Sequence, residues 1–89
     1  MRAIVTVLGQ DKPGIIAAVT TELAAAGVNV LDISQTLMQE YFVMVMLVEL
    51  AGEADTLSDL QSRMEEVGKA IRVQIRLQRE EIFQATNRI

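Results

Sequence analysis

The first apolar run, Arg2–Leu8 (RAIVTVL), is short and β-branched, which predicts a strand. From Pro13 to Ala26 the period lengthens. Ile16, Val19, Leu23 and Ala26 recur at helical spacing, Pro13 suits a first helical turn, and Gly27 stands where a left-handed residue ends a helix. Val28–Met38 reads as a second strand, irregular because Val30 and Leu31 are adjacent apolar residues that break the alternation. Gln39-Glu40 then forms a short hairpin link into a third strand, Tyr41–Leu50. After a loop at Ala51–Ala54, Asp55 or Thr56 caps a second helix that carries Leu57, Leu60, Met64 and Val67 on one face and stops at Gly68. Ile71–Gln78 (IRVQIRLQ) alternates apolar and polar strictly, as a half-buried edge strand should. The closing segment EEIFQATNRI has about two turns of helix in it, aligning Ile82, Ala85 and Ile89.

The element order is therefore β-α-β-β-α-β. It predicts an α+β, ferredoxin-like sandwich: a four-stranded antiparallel sheet with two helices on one face. Right-handed crossovers place strands one and three at the centre. Residues 1–79 form this one domain, and 80–89 are a C-terminal tail.

The third strand does not suit a monomer of that design. Tyr41, Val43, Val45 and Leu47 point to one face, and Phe42, Met44, Met46 and Val48 to the other. Two helices cover one face only, and leaving four such side chains in water forgoes roughly 1.5–3 kcal/mol each. The tail, a second subunit, or both must cover the open face. Met38, Met44, Met46 and Met64 are read as adaptable core or interface filler.

Composition narrows the chemistry. With no cysteine there is neither a disulfide framework nor a thiolate metal site, and with no histidine the usual proton shuttle and metal ligand are missing. Serine, threonine or lysine would have to act as nucleophile, and none has an evident base beside it. Glu65-Glu66 and Glu80-Glu81 are sequence neighbours, which on a helix diverge by about 100° and cannot share a metal or substrate. No catalytic residue, metal or cofactor is expected, and the chain is read as a non-enzyme. The net charge of −4 argues against a nucleic-acid partner, which needs a clustered basic surface. Tyr41, Phe42 and Phe83 are too few aromatics for a base-stacking platform. No run approaches the ~18 apolar residues of a membrane span, and the N-terminus lacks a signal-type segment. A cytoplasmic location with no membrane partner is the expectation.

One stretch remains to be explained: LGQDKPGIIAAV, Leu8–Val19. Pro13 lacks an N–H, so the free donors of the first turn are those of Gly14, Ile15 and Ile16, with the helix dipole behind them. That arrangement suits a carboxylate, and Gly14 has no Cβ to hold one off. The same residues also make a plain strand-to-helix turn, with Asp11 as cap and Pro13 pre-set. The residues alone leave both open.

The longer stretch TVLGQDKPGIIAAVTTELAAAGVNVLDI resembles the first half of an ACT domain. That family carries Asp-x-Pro-Gly-[Ile/Leu] between a strand and a helix, then Gly-[Val/Ile]-Asn-[Val/Ile] entering strand two. Asp11, Pro13, Gly14, Ile15, Gly27, Asn29 and Val30 match it position by position. The pattern runs to about Gln78 and is similar to small stand-alone ACT proteins and to each half of the glycine cleavage system repressor. The resemblance implies side-by-side pairing into an eight-stranded sheet, a homodimer or higher homo-oligomer. It also implies an amino acid or similar metabolite bound by Asp11, Pro13, Gly14 and Ile15, met across the interface by Asn29 and Val30. A ligand-free assembly module is the alternative. Arg72, Gln74, Arg76 and Gln78 form the polar face of the last strand, read either as charge that discourages stray pairing or as a site for an acidic partner.

Overall fold

The computed structural model describes residues 1–52 and 54–86, with the side chains of 54, 55, 85 and 86 excepted. Its elements are β1 (Arg2–Gln10), α1 (Ile15–Ala25), β2 (Asn29–Met38), β3 (Tyr41–Glu49), α2 (Ala54–Ile71), β4 (Gln74–Arg79) and α3 (Glu80–Thr86). The strands form one antiparallel sheet in the order β2-β3-β1-β4. This is the βαββαβ ferredoxin-like arrangement, with the first and third strands central.

Alternation along β1 and β3 builds the core. Ala3, Val5 and Val7 pair with Val48, Met46 and Met44 across the two strands, and all six side chains are fully buried. Ile15, Val19 and Leu23 of α1 and Leu60 and Met64 of α2 complete one cluster with them. The opposite parity, Tyr41, Val43, Val45 and Leu47, is exposed or only half-buried. The tail helix α3 follows β4 directly and packs on that open face against β1 and β4. Arg2 and Glu80 pair there at 3.2 Å, and Ile4 is buried. Phe83 is half-buried against the sheet, whereas Ile82 is exposed; Ile89 and the side chain of Ala85 lie outside the described residues.

The helix ends differ from expectation in instructive ways. α1 closes at Gly27 as its pattern predicts: φ is +73°, the Val28 N–H donates to the Leu23 carbonyl at 3.0 Å, and the Gly27 N–H donates to that of Ala24. These are the two bonds of a Schellman motif, and Leu23 and Val28 are both buried beneath it. The start is later than expected, with Gly14 as N-cap in the left-handed region (φ +89°, ψ 1°) and no side chain capping it, so Asp11 is not the cap. α2 begins at Ala54, ahead of Asp55 and Thr56, and runs through Gly68 to Ile71. Gly68 is there for clearance: a Cβ would sit 2.8 Å from the Val73 carbonyl oxygen, while the Val73 N–H donates to the Gly68 carbonyl. The last strand accordingly starts at Gln74 rather than Ile71.

β2 is the element that stands apart. A register shift between Val30 and Asp32 leaves Leu31 as an extra residue, the irregularity its sequence suggested. All ten residues of the strand are exposed, because α1 and α2 sit over the other three strands. Val30, Leu31, Ile33, Leu37 and Met38 thus lie in the open on an unpaired edge.

Candidate ligand-binding site

The loop from β1 into α1 is held at three points. The Asp11 N–H donates to the Glu40 carbonyl at 2.8 Å, tying the loop to the β2–β3 hairpin. Lys12 donates from Nζ to the Ile71 carbonyl at 2.6 Å, a cation at the C-terminal end of α2, where the helix dipole favours it. Ile15 is the third anchor, its side chain buried in the core. Between these points Asp11, Pro13 and Gly14 are exposed.

The left-handed Gly14 decides which donors are free. As N-cap it accepts the first intrahelical bond, from the Ala18 N–H at 2.9 Å. The N–H groups of Gly14, Ile15, Ile16 and Ala17 therefore have no carbonyl one turn back. The free set extends one residue further into the helix than the sequence indicated. Nothing lies within 4 Å of where a Gly14 Cβ would be, so the approach is open. Ile15 can contribute only its backbone. Lys12 escaped the sequence reading, since a lone loop lysine carries no sign of the helix end it meets.

Asn29 and Val30 are elsewhere. β1 pairs Gln10 with Tyr41 at one end of the sheet and Arg2 with Glu49 at the other, and Asn29 is the β2 partner of Glu49. Eight residue steps at about 3.3 Å put Asn29 roughly 25 Å from the Asp11–Ile15 loop. It is exposed and lines a shallow cavity with Met1, Gly27, Glu49 and Gly52. Asp32 accepts the Ile33 N–H at 2.8 Å, supporting the bulge locally. One chain therefore holds the two halves of the candidate site apart.

Among the described residues there is no cluster of three or more potential metal-ligating side chains and no buried polar side-chain atom lacking a partner. Among the described residues, no helix is long and apolar enough to cross a membrane.

A ferredoxin-like domain with a glycine-entered helix and an open edge strand is the class that these features define. Residues 2–78 match the ACT domain family model. A UPF0237 protein of Clostridium acetobutylicum is 47% identical over 89 residues, spanning all of both chains. An ACT domain protein from Streptococcus pneumoniae has a TM-score of 0.83 at 40% identity, with 94% of each chain covered. A structure assigned to a glycine cleavage system transcriptional repressor aligns with 86% of this chain and 44% of its own, at TM-score 0.76 and 21% identity, which speaks for the fold alone. The chain belongs to the ACT domain family, whose members are typically regulatory, ligand-binding domains.

Proposed function

We propose that this protein is a regulatory ACT domain that binds a small metabolite, an amino acid being the best fit, between two copies joined through β2. The observation that carries this reading is the complete exposure of β2, five of whose residues are large and apolar. Antiparallel pairing of that edge about a two-fold axis extends the sheet to eight strands and covers the strand. It also brings the Asn29 end of one β2 beside the Met38 end of the other. Met38 pairs with Tyr41, Tyr41 with Gln10, and the Asp11–Ile15 loop follows. The two halves that one chain separates thus meet across the interface.

In such a site the amides of Gly14, Ile15 and Ile16 take the carboxylate, with Pro13 holding the loop and Asp11 at its mouth. Asn29 offers a donor and an acceptor to the remaining polar group, and Val30 an apolar contact. A ligand held by both copies favours one arrangement of the pair, which a partner then reads. The role is regulatory rather than catalytic, and cytoplasmic.

Thermal shift over the common amino acids, followed by calorimetry on any hit, tests this. A ligand at 100-fold its Kd stabilises by about 2.7 kcal/mol, a readily visible rise in Tm. Asn29→Ala should weaken the hit while leaving the dimer intact. A dimer whose melting ignores every amino acid is an assembly module instead.

A further inference from the structure

The polar face of β4 is absorbed neither by the fold nor by the proposed ligand site. Two adjoining cavities run along it on the open face of the sheet, sharing Leu8, Val73 and Gln74. Their floor is apolar, from Leu8 and Val45, with Phe83 of α3 at one end and Tyr41 at the other. Leu8 and Tyr41 are exposed, so α3 leaves this half of the face bare. The wall is Arg72, Gln74 and Arg76.

Those two arginines are the informative residues. Arg2, Arg63, Lys69 and Arg79 each pair with a glutamate, and Lys12 donates to a carbonyl. Among the described residues neither Arg72 nor Arg76 has an ion-pair partner, in a chain with twelve acidic residues. Arg72 also has φ +59°, a conformation unusual for a side-chain-bearing residue, and it lines the cavity from that turn. Two unneutralised cations beside an apolar floor fit an anionic partner.

The shape of the cavity says what kind. Among the described residues β4 is a sheet edge with β1 as its one strand neighbour, so its outer N–H and C=O groups are open to a further strand. The larger cavity does not stop at that edge. It continues around it to Glu65, Gly68, Lys69 and Ile75 on the helix side, where the one carboxylate of the lining suits the partner's uncharged side chains and not its acidic ones. A strand laid along the edge puts alternate side chains into both lobes, which a small molecule on one face cannot do. A second copy of this chain is a poor occupant: β4 paired with itself sets the two Arg72 and Arg76 rows side by side, and facing like charges destabilise.

We propose that the β4 edge is a docking site for an extended acidic segment of a partner protein, which adds as a fifth strand. Its acidic side chains lie on the open face against Arg72 and Arg76, and its small apolar ones on the helix side. This goes beyond the metabolite site and does not depend on it.

Fluorescence polarisation on the whole protein tests it, with labelled Glu-Val-Glu-Val-Glu-Val, its lysine counterpart, and the acidic peptide N-methylated at alternate residues. The acidic peptide should bind and weaken as salt rises; the lysine peptide should not bind. Arg72→Asn, chosen because asparagine tolerates positive φ, and Arg76→Gln should each weaken binding by about tenfold. Arg63→Gln, on the outside of α2, should leave it unchanged, and melting curves confirm that each variant is folded. N-methylation on the paired edge should abolish binding. Failure of the acidic peptide to bind, equal binding of the lysine peptide, or indifference to the arginine substitutions overturns the proposal. So does undiminished binding of both possible N-methylated registers, which would mean that no strand is added.

Discussion

Glycines account for several of the differences between pattern and structure, and each has its own cause. Gly27 was legible because its task is local: an apolar helical face ends and a left-handed residue follows. Gly68 looked like the same signal, but its reason is the carbonyl of Val73, which no local pattern contains. Helix propensity says that Gly68→Ala should stabilise by about 1 kcal/mol. A Cβ 2.8 Å from that oxygen reverses the sign, and we expect a loss of about 1–3 kcal/mol in denaturant unfolding. Gly14 is constrained by conformation instead, since its surroundings are empty. Gly14→Val should cost about 1–2 kcal/mol or more at φ +89°, whereas Gly14→Asn should cost less. Asparagine is therefore the cleaner probe of the proposed carboxylate site: a folded Gly14→Asn protein that binds as the parent does would place the ligand elsewhere.

Among the elements, α3 and β2 show what a pattern can and cannot carry. Two turns of helix in the tail were readable from spacing, but not which residue packs. Phe83 is half-buried and Ile82 exposed, since the chain leaves β4 without a loop and so fixes the helix's orientation. Phe83→Ala should lower stability by about 1–3 kcal/mol and Ile82→Ala by less than about 0.5 kcal/mol. Glu81, beside Arg79 at 2.7 Å, stands in the first turn of the same helix. Its own backbone N–H, then Arg79, hold its carboxyl below the ordinary 4.5. A depressed folded pKa means that its contribution is present above the unfolded value and fades as pH falls through the folded one. Acidification should loosen the start of α3 first, and Glu81→Gln should remove that pH dependence in an amide-exchange profile of residues 80–86. β2 was readable as an irregular strand. Its exposure was not, since the same apolar letters serve a buried strand and an interface strand. From the sequence, one face of β3 is left uncovered, and that face is indeed exposed or half-buried; the larger uncovered surface, on β2, is not apparent there.

For the whole molecule, the proposed pairing through the exposed β2 edge predicts a particle of more than one chain. Light scattering at micromolar protein should give at least twice the 9.8 kDa chain mass. Ile33→Lys should halve it, whereas Arg76→Gln, on the opposite edge, should leave it unchanged. A mass of one chain for the parent protein would remove the basis of the shared site. The halves of that site were visible as motifs, yet not their 25 Å separation, because which ends of two strands coincide depends on register. Sheet order has a further result, in time rather than space. β1 is the first strand to be synthesised and β4 the last, and they are neighbours, pairing residues about seventy positions apart. The hairpin of β2 and β3 closes early, but the core waits until β4 has been made. Long-range pairing of this kind slows folding. Until β4 is available, Val5 and Val7 have no complete sheet to enter. Under the proposed pairing through β2, two copies would then meet as folded domains and not as nascent strands.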